Sequence, residues 1–149
     1  MSRRLRIALV SSVGGHLAEL LELEPAFAEH SCVWILNDAS PVLPADRESR
    51  RVSHAERDWK VAWNLVEFAL LFARERPDVV VSMGAGPAVP AALVAALVGI
   101  PVIYIEPSSA VRVPTLTGRL MRFLTSRRYV QWAALAERLP GSRYVGGLL

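Results

Sequence analysis

Lysine is almost absent from this 149-residue chain: of 17 lysines and arginines, only Lys60 is a lysine. Cysteine is as scarce. The lone Cys32 excludes an internal disulfide and fits a reducing compartment. Aromatic residues make up 7% of the chain. They show neither the aromatic and basic interleaving of an RNA-binding sheet nor a helix-turn-helix setting, so nucleic acid is not an expected partner. His, Cys and acidic residues do not fall at metal-ligand spacing, and neither a metal nor a cofactor is expected. The basic stretch Met1 to Arg6 leads into an apolar run that stops at Ser11, too short for a secretory signal. Charge is missing altogether from Val79 to Ile105. That length of apolar sequence is enough to span a membrane. Gly84, Gly86, Pro87, Pro90, Gly99 and Pro101, however, cut it into strand, turn, helix, turn and strand. Buried parallel strands are continuously apolar for their own reasons, so we read the run as core.

What is present is apolar and weakly basic. The chain is 52% hydrophobic, with mean hydropathy +0.31, net charge +3 and pI about 9.6. That suffices for one domain over residues 1–149 and suits an anionic partner. Periodicity predicts strands at about 5–10, 32–36, 78–82 and 102–106, with shorter ones at 51–53, 128–131 and 143–145. Helices are predicted at about 17–29, 59–75, 88–97, 114–124 and 133–138. The segment 37–50, with Pro41 and Pro44, reads as a loop. The alternation predicts an α/β fold, a Rossmann-like parallel sheet flanked by helices, with right-handed crossovers. Such sheets bind ligands beyond the carboxyl ends of their strands. Three loops converge on that rim: 11–16, 82–87 and 106–113.

The first loop is Ser11-Ser12-Val13-Gly14-Gly15-His16. Adjacent glycines leave amides bare at a helix N-terminus, where the dipole favours an anion. The histidine that follows titrates near neutral pH. Ser12, Gly14 and Gly15 are therefore expected phosphate ligands, and His16 an expected base. The G-x-G-x-x-G spacing is absent, because Ser12 and Ala18 replace its outer glycines, although Asp38 falls near the distance of a ribose-binding acid. A dinucleotide turn stays open, as does a His16 that merely caps its helix. The second loop offers Gly84 and Gly86 on the same rim, or is a plain tight turn. In the third, Glu106 ends an apolar strand and Ser108 and Ser109 follow. Glu106 is expected to bind sugar hydroxyls or tune His16, unless it caps a helix or pairs with a base.

The helix predicted at 59–75 is over-hydrophobic. Lys60, Asn64, Glu67 and Arg74 share one polar stripe. Ala62, Ala69 and Ala73 are expected to pack on the sheet, leaving Trp59 and Trp63 on one flank and Phe68 and Phe72 on the other. The apolar arc is roughly twice the ~100° that a core-facing helix needs. Tryptophans beside arginines suit a membrane interface, and Arg112, Arg119, Arg122, Arg127 and Arg128 concentrate late in the chain. Trp59, Trp63, Phe68, Arg119 and Arg122 are thus expected to meet lipid. The alternative is that other helices cover both flanks and the arginines form a solvated face.

Several segments occur in a telling order: Ser12-Val13-Gly14-Gly15-His16-Leu17, Met83-Gly84-Ala85-Gly86-Pro87-Ala88, Gly99-Ile100-Pro101 through Glu106, Leu116-Thr117-Gly118-Arg119-Leu120, Val130-Gln131-Trp132 and Tyr144-Val145-Gly146-Gly147-Leu148. Together they resemble the small subunit of two-component glycosyltransferases. That family includes the membrane-recruiting partner of the eukaryotic N-acetylglucosaminyltransferase that makes the second sugar of the dolichol-linked oligosaccharide. It also includes the PssD-type proteins of bacterial exopolysaccharide and capsule synthesis.

The resemblance covers nearly the whole chain. It implies the N-terminal, acceptor-side half of a GT-B enzyme similar to MurG. A separate catalytic chain would bind the nucleotide sugar, and the active site would lie between the two. The implied reaction moves a sugar (N-acetylglucosamine, glucuronic acid or galactose) from a nucleoside diphosphate sugar to a lipid-diphosphate-linked saccharide. Gly14-Gly15-His16 would face the lipid diphosphate. Tyr144, Gly146, Gly147, Leu148 and Leu149 would dock the partner. Relatives of eukaryotic character usually carry an N-terminal membrane anchor and this sequence shows none, so the expectation is a bacterial protein held peripherally at the cytoplasmic face of the plasma membrane. Two other readings stand beside this one: a scaffold that recruits its partner without doing chemistry, and a free-standing nucleotide-binding domain.

Overall fold

The computed structural model describes residues 3–54 and 59–148. Seven strands form one parallel sheet: β1 (Arg6–Ser11), β2 (Ser31–Asn37), β3 (Ser49–Val52), β4 (Val79–Ser82), β5 (Val102–Ile105), β6 (Arg127–Val130) and β7 (Ser142–Tyr144). Their order is β3-β2-β1-β4-β5-β6-β7. Between them run α1 (Gly15–Glu22), α2 (Lys60–Glu75), α3 (Ala88–Leu97), α4 (Leu116–Met121) and α5 (Ala133–Ala136). The fold class predicted from the alternation is the one found.

Two helices are shorter than their periodicity suggests. The one expected over 17–29 ends at Glu22 and gives way to a 3-10 turn, Glu24–Phe27. Pro25 lies in that turn; it has no N–H to extend the α ladder. The helix expected from Pro114 starts at Leu116, because Thr115 caps it: its hydroxyl accepts the Gly118 N–H at 2.9 Å.

The chain lays β2 and β3 on one side of β1 and β4 to β7 on the other. The order therefore reverses between β1 and β4, and at such a switch point the loops leaving the two strands part and open a crevice. Val10 pairs with Ser82, and the Ser82 hydroxyl donates to Val10 O at 2.9 Å while accepting the Gly84 N–H at 3.3 Å. The two glycine-rich loops thus begin side by side.

Side chains alternate across the sheet. Ala8, Val10, Val33, Ile35, Val80, Val102 and Tyr104 pack under α2, α3 and α4. Ile7, Leu9, Trp34, Leu36, Val79 and Val81 pack under Leu17 and Leu20 of α1, with Leu148 at the edge of that cluster. One expectation is corrected here. Phe68, placed by pattern on an outer flank of α2, is fully buried, as is nearly all of Phe72. Their rings lie 5.6 Å apart. Ala62, Ala69 and Ala73 face outward instead. Burying a phenylalanine contributes about 2–3 kcal/mol and an alanine far less, so the helix turns its rings inward. The close approach is supplied by α3, whose Ala88, Ala91, Ala92 and Ala95 are all buried.

At the opposite end of the sheet from the crevice, the Glu75 carboxylate, 5% exposed, accepts from Arg6 at 2.5 Å and Arg50 at 2.7 Å. This ties α2 to β1 and β3. Glu75→Gln would remove one of the two carboxylates that the Arg6 and Arg50 guanidinium groups share, leaving them Glu48. Because both still reach water, the expected loss is about 1–2 kcal/mol, read as a lower midpoint in denaturant. Among the described residues no helix is long and apolar enough to cross a membrane.

Candidate functional site

After β1 the backbone turns at Gly14, with φ +77° and ψ −142°, a region that side chains other than hydrogen rarely enter. Its carbonyl accepts from Leu17 N and Ala18 N, both at 3.1 Å, and α1 begins. A Cβ at Gly15 would meet nothing within 4 Å, so no packing demand explains that glycine; it keeps the start of α1 bare. His16 stands on the first turn, half-buried. Across the switch point, Gly84 has φ +109°. A Cβ there would lie 3.2 Å from Tyr104 Oη and 3.8 Å from His16 Cε1 and Nδ1. Ala85 follows at φ +66°, a left-handed conformation that costs a non-glycine residue about 1 kcal/mol or more. The strain sits beside the histidine.

His16 Nδ1 is buried and makes no hydrogen bond among the described residues. Buried polar atoms are nearly always paired, and exceptions call for a reason such as a catalytic role. The ring borders a cleft of about 380 Å³. One wall is Gly15, His16, Ala18, Glu19 and Glu22; the other is Pro107, Ser108 and Ser109. The structure thus brings Gly15, His16, Ser108 and Ser109 together, with Gly84 behind the imidazole. Ser12 is buried below the turn, and Gly86 lies exposed just ahead of α3; neither lines the cleft.

Glu106 departs from the expected arrangement. It is fully buried and absent from the cleft wall. Its carboxylate accepts from Thr115 N at 2.5 Å and from Thr115 Oγ1 at 3.1 and 3.2 Å. It also lies against Gly118, where any Cβ would collide with it. This is close to the capping alternative: the carboxylate anchors the loop between β5 and α4. Thr115 Oγ1 spends its proton on Glu106 and so accepts from Gly118 N and from the Tyr104 phenol at 3.3 Å. Burial first, and the Glu106 charge next, push the Tyr104 phenol well above its ordinary range, which keeps it a donor.

The residue that sequence reasoning missed is Glu19. It is buried on α1, one turn after His16, and accepts from Ser108 N at 3.0 Å, Ser108 Oγ at 2.8 Å and Gln131 Nε2 at 2.5 Å. Its three-residue spacing from His16, which places both on one helix face, was the available signal. Trp132 Nε1 donates to Ser108 O at 2.7 Å, so both sides of the Ser108 loop are held.

Outside the cleft, an apolar stripe runs along α2: Trp59 at 77% exposure, Trp63, Val66 and Leu70. On α4, Leu116, Leu120 and Phe123 are exposed, and the Arg122 guanidinium sits 5.0 Å from the Phe123 ring. Arg112 and Arg119 are exposed nearby in sequence, whereas Arg128 turns inward onto Pro140 O. Of the expected docking residues, Tyr144, Gly146 and Gly147 are exposed and Leu148 is partly buried, its N–H donating to Gln131 Oε1 at 3.0 Å. Leu149 lies outside the described residues.

A parallel sheet with glycine-rich turns meeting at its switch point is one half of the two-domain GT-B architecture. Acinetobacter baumannii MurG superposes on 96% of this chain with TM-score 0.76 and 14% identity, the match spanning 45% of that chain. A UDP-GlcNAc 2-epimerase from Methanocaldococcus jannaschii superposes on 91% with TM-score 0.69 and 17% identity, spanning 42% of its own length. The chain therefore covers under half of these two solved structures. The family described as oligosaccharide biosynthesis protein Alg14-like matches residues 43–148, and the chain belongs to that family. Mouse UDP-N-acetylglucosamine transferase subunit ALG14 is 25% identical across 97% of this chain and 83% of its own length. The human protein of the same description is 24% identical over the same shares.

Proposed function

We propose that the chain is the acceptor-side, non-donor subunit of a heteromeric glycosyltransferase. A separate chain binds the nucleoside diphosphate sugar, and the sugar passes to a lipid-diphosphate-linked saccharide in oligosaccharide or polysaccharide synthesis. The observation that carries this reading is the His16 imidazole, half-buried with an Nδ1 that has no hydrogen bond among the described residues, bordering a cleft between α1 and the loop after β5 in a fold that elsewhere forms only half of an enzyme. The description of the mouse relative as a transferase subunit supports it. With Nδ1 enclosed, Nε2 is the nitrogen that meets the acceptor hydroxyl and takes its proton. The amides of Gly14 and Gly15, with Ser109 as a second contact, hold phosphate or sugar oxygens; Ser108 and Gly84 shape the site through Glu19 and Ser82, and Ser12 and Gly86 stand outside it. Glu106 acts by positioning that loop. The tail from Tyr144 to Leu149 docks the partner.

The test is reconstitution with a nucleotide-sugar-binding partner chain. Sugar transfer to a lipid-diphosphate acceptor is expected from the pair and from neither chain alone. Transfer by this chain alone, or tight binding of a nucleotide sugar to it, would defeat the proposal in favour of a free-standing nucleotide-binding domain.

The exposed stripe of α2 and the arginines of α4 carry the chain to the inner, anionic face of a bacterial plasma membrane. Large apolar side chains beside arginine suit the headgroup layer. Trp59→Ser with Trp63→Ser is expected to weaken cosedimentation with anionic phospholipid vesicles roughly tenfold or more. Arg119→Gln with Arg122→Gln is expected to remove most of the dependence on anionic lipid. Undiminished binding by the tryptophan pair would assign that stripe to a protein partner instead.

A further inference from the structure

Behind the cleft, one buried amide links Glu19 of its wall to the C-terminal tail. Gln131 follows β6 and is 6% exposed. Its Nε2 donates to Glu19 Oε2 at 2.5 Å and to Glu106 O at 3.2 Å, and its Oε1 accepts from Leu148 N at 3.0 Å. The orientation is dictated by its neighbours: a carboxylate and a carbonyl can only accept, and a backbone N–H can only donate. Glu19 passes the contact on. Its carboxylate takes the N–H and the hydroxyl of Ser108, pulling the second wall of the cleft against the helix that carries His16. Among the described residues no cation pairs with Glu19, so these donors are what satisfy its buried charge.

The far end of this chain of bonds is lightly held. Val145 is 78% exposed, Gly146 has φ +122°, and Gly147 is exposed. Val145, Gly146 and Leu148 border an apolar hollow of about 270 Å³ that they share with Leu23, Phe27 and Ile105. The tail is a strap with one side chain, Leu148, packed into the sheet face and one backbone bond to Gln131.

We propose that Gln131 is a positioning residue that makes the geometry of the cleft depend on where the tail lies. With Leu148 seated, Gln131 is satisfied at both ends and Glu19 is held to bind Ser108. When the tail leaves, Oε1 loses its donor, the amide is free to turn, and Glu19 loses one of its anchors. The Ser108 loop then loosens against α1. This builds on the reading of the tail as the segment that engages the partner: engagement that reseats the tail resets the width of the acceptor cleft. The Gln131 step itself stands on the chain alone.

The experiment reads amide hydrogen exchange in the isolated full chain by NMR. Leu148→Pro removes the donated N–H together with the leucine side chain. Leu148→Ala keeps that N–H and trims the packing. Gln131→Met keeps the length of the side chain and removes its bonds. The expected result is exchange at Ser108 at least tenfold faster in Leu148→Pro and in Gln131→Met, with a smaller acceleration in Leu148→Ala, which weakens the seating of the tail but keeps the N–H. Val80, whose N–H donates to Pro101 O at 3.0 Å in the sheet interior, is the reference and stays unchanged. Unchanged Ser108 exchange in Leu148→Pro overturns the proposal. So does unchanged exchange in Gln131→Met, or acceleration of Val80 in parallel, which would mean general loosening. Loss of co-purification with the partner is a separate measurement. If the tail proves not to dock a partner, the exchange result still decides the role of Gln131.

Discussion

Replacing His16 by alanine is expected to lower turnover of the proposed reconstituted pair by ~10² to 10⁴-fold, the range for loss of a positioned acid–base group, while the two chains still co-purify. The same substitution leaves the isolated chain as stable as before, or stabilises it slightly. His16 is on the first turn of α1, only half-buried, and alanine is a better helix former. Removing the ring also removes an enclosed Nδ1 that has no partner among the described residues, a group of the kind that costs roughly 1–3 kcal/mol when left unsatisfied. Lost turnover without lost stability is the pattern that the proposed role of His16 in the chemistry predicts. Both the scaffold reading and the helix-capping reading make the opposite forecast. A cap would show as a lower melting temperature with turnover intact, and a pure scaffold as no change in turnover. Initial rates at saturating donor, paired with thermal melts of the same preparations, separate the three.

Gly118→Ala is expected to destabilise the chain by about 2–4 kcal/mol, near the upper end for overpacking a closed site. A Cβ at this position would collide with all three atoms of the Glu106 carboxyl group. The carboxylate has nowhere to go: it is fully buried and takes the N–H and hydroxyl of Thr115. Either α4 shifts outward or the carboxylate surrenders those bonds. For a domain of this size such a loss lowers the melting temperature by roughly 5–15 °C. A melt within about 2 °C of the parent would show that the carboxylate is free to move and that the Glu106–Thr115 anchor is weaker than its geometry suggests. The substitution is expected to reduce transfer as well, because the loop anchored at Thr115 runs back to Ser108 and Ser109 in the cleft wall.

Much of the fold was legible because its signals are local. Short apolar runs bounded by glycine and proline, valine-rich in β4, mark β4 and β5, and the alternation of strand with helix leaves few topologies for a parallel sheet. The rim was legible for the same reason, since the loops after β1, β4 and β5 must share one edge. The family resemblance supplied what spacing could not, the proposal that the enzyme is divided between two chains. The rotation of α2 was less accessible. A helix with apolar residues nearly all round offers several faces to the sheet, and only packing against the alanines of α3 selects the one that buries Phe68 and Phe72. The role of Glu106 was half visible: its place at a strand end was read correctly, but its commitment to Thr115 depends on a turn that brings residues nine apart into contact.

From its own pattern, the chain specified a parallel α/β sheet, a glycine-flanked histidine at the rim and an exposed tryptophan pair, because hydrophobic period, turn chemistry and helix N-terminal amides all act within a few residues. Folding settled which polar groups answer one another. Glu19 meets Gln131 across 112 positions and Ser108 across 89, and no periodicity encodes such pairs. They exist because a buried charge or amide must find donors and acceptors wherever the packed core leaves them.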